Sequence, residues 1–318
     1  MTPLSCQRIA EAVDYIDAEF LGSPQFEAGA IGRRFGGRLV VKIETMNPVR
    51  SFKARGALFY VSQLAEPKHL VCATAGNFGQ GMAYAARKHG MPITIFANVG
   101  ASPQKVERMR GFGADVRLTG TSSDDAREAA RAFSAATGAL LVEDGREAAI
   151  AEGAGTIGVE LLRWPEPFDA ILVPLGDGAL LGGIGSWVKT YSPTTLMIGV
   201  CAAGSTAMKQ SLSRREAVSS PCATIADGIA VQTPFADSIA RLSGVVDDVL
   251  LVEDDALIEG MRTAHRELGV VLEPSGAAGL AALLRDGEQF RGKRVATILT
   301  GGNLSVEQAR NWLGVSLA

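Results

Sequence analysis

The chain has 318 residues, 47% of them hydrophobic, which is enough for two α/β lobes with their own cores. Its net charge of −3 gives no basis for binding nucleic acid or an anionic membrane surface. The apolar runs are too short to span a bilayer and no signal-peptide core is present, so we expect a cytoplasmic protein. Widely spaced cysteines without a CxxC pair favour a reducing compartment, and the histidines lack metal-ligand spacing, so we expect no metal site.

Short β-branched runs alternate with amphipathic segments along the chain. One series predicts strands over residues 70–74, 93–97, 115–118 and 140–143, with helices over residues 79–88, 103–110 and 123–136. A second series predicts strands over residues 170–173, 196–201, 249–252 and 295–299, with helices over residues 152–163, 179–189, 257–268 and 276–284. This alternation predicts an α/β fold with two mostly parallel open sheets flanked by helices. Ligands would bind in the cleft at the carboxyl ends of the strands.

A lysine stands near the start of a further predicted helix. If this helix begins after Ser51, then Lys53 lies on a face whose other members are apolar or aromatic: Ala57, Tyr60, Val61 and Leu64. A desolvated lysine is a ready amine nucleophile for carbonyl groups. A lone lysine at a helix end more often extends its ammonium to solvent, so its interpretation depends on the loops that accompany it.

Four loops at predicted strand ends have the composition of binding loops. Residues 74–81 join a strand to a helix, and the helix amides there suit an anion such as a carboxylate, although the glycines could simply permit close packing. Residues 174–183 have the same placement and predict a phosphate-binding turn. The next strand, 196–201, ends without the acidic residue that would hold a ribose, which argues against a dinucleotide. The other two loops bring Glu273 and the hydroxyl of Thr300 to the cleft.

In this order the segments resemble the fold type II pyridoxal phosphate (PLP)-dependent enzymes, in the branch of threonine/serine dehydratases and serine racemases. The resemblance runs from about Ile16 to Leu313 and rests on motifs at residues 51–57, 76–77, 151–157, 174–183, 224–228, 273–277 and 300–303. It implies a PLP cleft between a large PLP-binding domain, residues 1–58 and 149–318, and a small substrate-binding domain, residues 59–148. It also implies a homodimer.

The resemblance assigns roles by position. Lys53 would form the Schiff base with PLP and then act as the base at the substrate Cα. The other cofactor contacts would come from Phe52 beside the ring, Asn77 at the 3-hydroxyl, Thr300 at the pyridine nitrogen, Glu273 near the cleft, and the phosphate loop of Gly176, Asp177, Gly178, Ala179 and Leu180. The substrate carboxylate would bind to the loop that contains Thr74, Ala75, Gly76, Asn77, Phe78 and Gln80. The implied reaction eliminates the β-hydroxyl of L-threonine or L-serine and gives a 2-oxo acid and ammonia.

Four departures from the family pattern qualify these roles. Ala75 replaces the serine that the racemases use to reprotonate Cα, which disfavours racemisation. Phe78 replaces the histidine usual in dehydratases and indicates a more apolar pocket. Asp177 and Ala179 replace glycines of the phosphate loop, so we expect the Asp177 side chain to point away from the phosphate or PLP to bind more weakly. The strand end at residues 200–203 lacks the acidic metal ligand of some relatives.

Other functions therefore stay open at this stage. One is β-replacement of the threonine synthase or cysteine synthase kind. Another is elimination from a hydroxyaspartate or a diamino acid. A third, from a different class, is a degenerate protein that binds PLP or an amino acid without catalysis. Retention of Lys53, Asn77 and Thr300 speaks against the last.

Overall fold

The computed structural model describes residues 4–314 and shows an α/β protein built on two sheets. Its strands are β1 (Gln25–Glu27), β2 (Arg38–Ile43), β3 (Leu70–Ala73), β4 (Ile93–Ala97), β5 (Asp115–Leu118), β6 (Leu140–Leu141), β7 (Ala170–Pro174), β8 (Leu196–Ala202), β9 (Asp248–Val252) and β10 (Arg294–Leu299). The larger sheet has the order β1-β2-β10-β7-β8-β9, and the smaller has the order β5-β4-β3-β6. Neighbouring strands are parallel throughout, except that β1 runs antiparallel to β2.

Helices cover these sheets and connect their strands. They are α1 (Cys6–Ala12), α2 (Gly29–Phe35), α3 (Lys53–Ser62), α4 (Asn77–Lys88), α5 (Pro103–Gly111), α6 (Ser123–Thr137), α7 (Ala148–Leu161), α8 (Ala179–Tyr191), α9 (Ala207–Arg214), α10 (Ala236–Leu242), α11 (Asp254–Leu268), α12 (Ala278–Asp286) and α13 (Val306–Gln308). None of the helices described is long and apolar enough to cross a membrane.

The middle of the larger sheet shows why the sequence forms parallel strands. Every residue of β7 is buried, and β7 pairs with β10 on one side and β8 on the other. A strand covered on both faces has no solvent side, so its sequence is a continuous apolar run instead of an alternation. This run ends at Pro174, where the glycine-rich loop before α8 begins.

Three helices pack unusually closely beside the site, and glycines make the approach possible. A Cβ on Gly153 in α7 would lie 2.6 Å from the carbonyl oxygen of Arg55 in α3. A Cβ on Gly183 in α8 would overlap the carbonyl oxygen of Ala151 in α7, and one on Gly56 would overlap that of Ile150. The motif at residues 151–157 therefore serves packing of α3, α7 and α8.

The predicted α/β fold with two mostly parallel sheets is confirmed. The main omission is β2, which lies between β1 and β10 although it was not among the predicted strands. The division into a large domain and a small domain stays a prediction. The strands of the smaller sheet all come from residues 70–141, inside the segment 59–148, and the strands of the larger sheet all come from outside it.

Candidate active site

A cavity of about 520 Å³ lies at the carboxyl ends of strands from both sheets. Its lining follows β3, β4 and β6 of the smaller sheet and β7 and β10 of the larger one. It contains the predicted residues Phe52, Lys53, Thr74, Ala75, Gly76, Asn77, Phe78, Gly176, Asp177, Gly178, Ala179, Leu180, Glu273 and Thr300. Four separate loops and the start of α3 thus converge on one space, as expected for parallel sheets that bind ligands at their strand ends.

Lys53 is the first residue of α3, and its ammonium lies within this cavity. The side chain is 17% exposed, and its Nζ forms an ion pair with Oδ2 of Asp144. Nζ also lies 4.9 Å from the ring centre of Phe52 and 5.9 Å from that of Phe78. The amine is therefore held between two aromatic rings and one carboxylate, and it does not extend to bulk solvent.

A fully buried network of charges holds the helix that carries Lys53. Arg55 donates to Glu44 at 2.9 Å and to Glu160 at 2.7 Å, and Lys42 donates to Glu160 at 2.5 Å. Burial opposes ionisation of Glu160, but Arg55 and Lys42 outweigh it and lower its pKa to about 2. The two cations and two carboxylates balance, so α3 is fixed to β2 and α7 by charge-assisted hydrogen bonds.

The loop between β7 and α8 forms a cradle that fits a phosphate. Gly178 precedes α8 with φ of +90°, a left-handed conformation that glycine adopts without strain, and no side chain caps the helix. A Cβ on Gly176 would lie only 3.0 Å from the carbonyl oxygen of Gly228. The free amides of the first turn and the positive end of the helix dipole suit a dianion.

Asp177 lies in this loop, with its side chain against the turn that follows β6. Its Cβ would be 3.1 Å from a Cβ placed on Gly145, the neighbour of Asp144. Its Oδ1 is buried without a hydrogen-bond partner among residues 4–314, and the side chain does not cap α8. Burial and the nearby charge of Asp144 raise its pKa to about 6, against smaller opposing effects of Lys53 and Arg127.

Asn77 is held in one orientation by its neighbours. Its Oδ1 accepts from Nδ2 of Asn303 at 2.8 Å, and its Nδ2 donates to Oε1 of Glu273. The second oxygen of Glu273 lies 3.4 Å from Nζ of Lys105, which also binds Asp227 at 2.6 Å. Burial raises the pKa of Glu273, and Lys105 only partly offsets it.

Gln80 is placed differently from the other predicted residues. It is fully buried and does not line the cavity. Its Oε1 accepts from Nε of Arg108 at 2.8 Å, and its Nε2 donates weakly to Oδ1 of Asn77 at 3.4 Å. The predicted role as a direct donor to the substrate carboxylate does not match this geometry, in which Gln80 instead supports Asn77.

Thr74 and Thr300 are the two predicted site residues with a hydroxyl group and no charge, and the structure shows what each of them contacts. Oγ1 of Thr74 accepts from the amide of Gly76 at 3.1 Å and so shapes the turn before α4. The carbonyl oxygen of Thr300 accepts from the amide of Phe52 at 3.1 Å and ties the end of β10 to the start of α3. No hydrogen bond to the hydroxyl of Thr300 occurs within residues 4–314, and this residue lines the cavity. It is available to a ligand.

Several residues of the site were missed by sequence reasoning. Asp144 and Lys105 line the cavity as single charged residues outside the motifs, and Asp227 lines it from the motif at residues 224–228, where it was given no role. One signal was present, because Asp144 directly follows the predicted strand 140–143, at the strand end where ligands bind. Within the described part of the chain no cluster of three or more histidine, cysteine or acidic residues could hold a metal ion.

The pyridoxal-phosphate dependent enzyme family matches residues 16–301, so the chain belongs to this family and its cofactor is PLP. The residues fit that cofactor, with an inward lysine, a glycine cradle for the phosphate and an unengaged hydroxyl at Thr300. An L-threonine ammonia-lyase of Geobacter sulfurreducens is 34% identical over 94% of this chain and 75% of its own length. An L-threo-3-hydroxyaspartate ammonia-lyase of a Pseudomonas species is 32% identical over 94% of this chain and 95% of its own. The crystal structure of a threonine deaminase from T.th. superposes with a TM-score of 0.89 at 33% identity, covering 95% of this chain and 99% of that one.

Proposed function

We propose that the protein is a PLP-dependent ammonia-lyase that eliminates the β-hydroxyl of L-threonine or L-serine, giving a 2-oxo acid and ammonia. One observation carries the proposal: Lys53 shares a single cavity with a phosphate cradle at α8 and an anion-binding helix end at α4. The similarity to an L-threonine ammonia-lyase and to a threonine deaminase structure supports the same reaction.

The bound PLP ring supplies an electron sink that acidifies the Cα–H bond of an attached amino acid. The chain supplies the rest of the chemistry. The amides of residues 176–180 hold the phosphate, and Nζ of Lys53 carries the cofactor and takes the proton from Cα. Its position between Phe52 and Phe78 limits the contact of the amine with bulk solvent.

The substrate carboxylate has a matching site at the start of α4. The first turn of this helix presents free amides from Asn77 onwards, preceded by Gly76, where a Cβ would meet no atom within 4 Å. The helix dipole favours a negative charge there. A carboxylate at this end orients the substrate so that its Cα faces Lys53 across the cavity.

The remaining lining favours a neutral β-hydroxyl side chain. Ala75 has no group that can return a proton to Cα, which supports elimination over racemisation. Asp144 is ion-paired with Lys53 in the cavity, and its negative charge would repel a second carboxylate on the substrate. This charge pattern supports threonine or serine over a hydroxyaspartate.

Assembly and location belong to the same proposal. The family resemblance supports a homodimer, which light scattering coupled to size-exclusion chromatography would test. A cytoplasmic location is supported by the four cysteines, which are all free and unpaired in the structure. A fractionation experiment that finds the protein outside the cytoplasm would overturn this part.

The test combines PLP uptake with product formation. The purified protein should gain the visible absorbance of bound PLP and release ammonia and 2-oxobutanoate from L-threonine. Lys53→Ala should lose turnover by at least about 10²- to 10⁴-fold, because one residue carries both the cofactor link and the proton transfer. Lys68→Ala, at an exposed lysine outside the cavity, is the matched control. A wild-type protein that takes up PLP but releases nothing from threonine or serine would contradict the proposed substrate.

A further inference from the structure

Asp177 carries the one carboxyl group of the phosphate loop, and neither phosphate binding nor folding requires a carboxyl group at this position. A carboxylate beside a phosphate is repelled by it, and a glycine or alanine would satisfy the loop. The side chain makes no hydrogen bond within residues 4–314, and its Oδ1 is buried. A buried oxygen without a partner is costly, so its retention calls for a functional reason.

The position of Asp177 relative to Lys53 suggests that reason. Asp144 contacts Nζ of Lys53, and Asp177 packs on Gly145, one residue further along the chain. All three residues line the same cavity, so a substrate whose Cα faces Lys53 has its β-substituent in the space that they line.

We propose that Asp177, in its protonated form, is a catalytic acid that gives its proton to the β-hydroxyl as the Cβ–O bond breaks. This inference rests on the proposed function, since it concerns the leaving group of that reaction. Hydroxide is a poor leaving group, and a proton from a positioned acid converts it to water.

The proton balance closes without an outside acid. The O–H bond of Asp177 breaks, a new O–H bond forms on the departing oxygen, and the electron pair of the Cβ–O bond leaves with water. Lys53 meanwhile takes the proton from Cα. Its ammonium contacts Asp144, which can return that proton to Asp177 for the next turnover.

The charges around Asp177 favour the protonated form that this role needs. Burial raises its pKa to about 6, with Asp144 as the next cause, and a bound phosphate would add negative charge and raise it further. The charged groups that face it from the elements around it are Glu143 and Asp144 on the turn after β6, Lys53 on α3, Arg127 on α6 and Arg241 near Gly145 on α10. Glu143 is neutralised by Arg131 and Arg146, so Asp144 is the main source of repulsion.

The test compares two leaving groups in the PLP-loaded enzyme. L-Serine loses hydroxide and needs an acid, whereas β-chloro-L-alanine loses chloride and needs none. Asp177→Asn should lower kcat/KM for L-serine relative to β-chloro-L-alanine by about 10²-fold or more. Asp177→Gly should do the same if the asparagine variant folds poorly. Asp237→Asn, on the exposed side of α10, is the matched control and should leave the ratio as in the wild type.

A second measurement does not depend on turnover. Carbon-13 NMR of aspartate-labelled apo protein should show a carboxyl that titrates near pH 6 and is missing in Asp177→Asn. Two results would overturn the inference. One is an equal loss of kcat/KM on both substrates, which leaves their ratio unchanged, and the other is the absence of an aspartate carboxyl that titrates above pH 5. A wild type that turns over β-chloro-L-alanine but neither L-serine nor L-threonine would instead overturn the proposed function, and the inference with it.

Discussion

Two clusters of charged residues each include one residue near the start of α3, Arg55 in the first and Lys53 in the second. The clusters differ in how completely their charges are paired. We call the first the packed region: Lys42, Glu44, Arg55 and Glu160, together with the α3–α7–α8 contact. Its charges balance and its carboxylates accept hydrogen bonds from Arg55, Lys42 or both. The cavity cluster of Lys53, Asp144 and Asp177 has one cation for two acids, and each acid keeps one unpartnered buried oxygen among the described residues.

The difference separates charges that hold the structure from charges that act. A fully paired buried network fixes the geometry of the elements that carry it, since removing one member leaves the other buried charges without a partner. A partly satisfied cluster is poised to exchange protons or bind a ligand. Arg55 and Lys53 therefore have opposite roles although both belong to the motif at residues 51–57.

The largest expected effect on stability is in the packed region. Glu160→Ala leaves Lys42 and Arg55 without a shared carboxylate, so we expect the free energy of unfolding to fall by about 3–5 kcal/mol. Glu166→Ala removes an exposed glutamate from ion pairs with Arg38 and Arg294 and should cost about 0–1 kcal/mol. Urea denaturation of both variants checks the prediction. Similar losses in the two would show that the buried network stabilises the fold no more than a surface ion pair does.

In the cavity cluster, Asp177 should make the folded apo protein less stable as the pH rises. Because the folded-state pKa of Asp177 is raised from 3.8 to about 6, folding favours its protonated form. Stability from this group is complete below about pH 4 and is lost as the pH rises to about 6, by up to about 3 kcal/mol. Asp177→Asn should lack this loss in melts recorded from pH 4 to pH 7. A wild-type curve parallel to that of the variant would contradict the raised pKa.

Glu160 gives the matching prediction in acid. Its pKa is lowered to about 2, so its contribution is present above the unfolded value near 4.5 and is lost as the pH falls through 2. The wild type should therefore lose stability between about pH 5 and pH 2. Glu160→Gln should show a shallower loss over the same range. Identical slopes would contradict the assignment.

Close packing in the same region gives a smaller effect. Gly183→Ala places a methyl group onto the carbonyl oxygen of Ala151, so we expect a loss of about 1–3 kcal/mol. Gly182→Ala, one residue earlier in α8, meets nothing closer than 3.8 Å and should be neutral or stabilising by up to about 1 kcal/mol. Thermal melts of the pair measure the difference. A tolerated alanine at Gly183 would show that α7 and α8 are less tightly packed.

The smallest effect on stability is expected at Asp144, where the effect on turnover is larger. Asp144→Asn takes the carboxylate away from Lys53 but also removes the charge that disfavours ionised Asp177, so the two effects oppose each other and the free energy of unfolding should change little. Turnover of both L-serine and β-chloro-L-alanine should fall at least about tenfold, because Lys53 loses the group that orients it. A variant with wild-type turnover would place Asp144 outside the mechanism.

The fold, the family and the cofactor could be predicted from local patterns. The alternation of apolar runs and amphipathic segments marks parallel strands, and the glycine loops mark their ends. β2 was missed although its residues from Leu39 to Ile43 are buried. It contains Lys42, which looks like a surface residue until its partner Glu160 is known to lie 118 positions away.

Inside the site, too, local patterns do not show contacts between residues that are far apart in sequence. Lys53 was found because its neighbours in sequence define a face and a motif. Asp144 was missed because its contact with Lys53 joins residues 91 positions apart, and only the folded chain brings them together. Gln80 was expected at the substrate, yet Arg108 holds it away from the cavity, a contact that no local pattern contains.

Trapping the cofactor on its lysine tests the central claim most directly. Within residues 4–314 three inward-facing lysines lie in or near the site, and each is paired with a carboxylate: Lys42 with Glu160, Lys105 with Asp227 and Lys53 with Asp144. Of the three, Lys53 is the one whose ammonium lies between two aromatic rings in the cavity. The PLP-loaded protein would be reduced with borohydride, digested and analysed by mass spectrometry. The account predicts a pyridoxyl adduct on Lys53 and on no other buried lysine. An adduct on Lys42 or Lys105, or none at all, would contradict it.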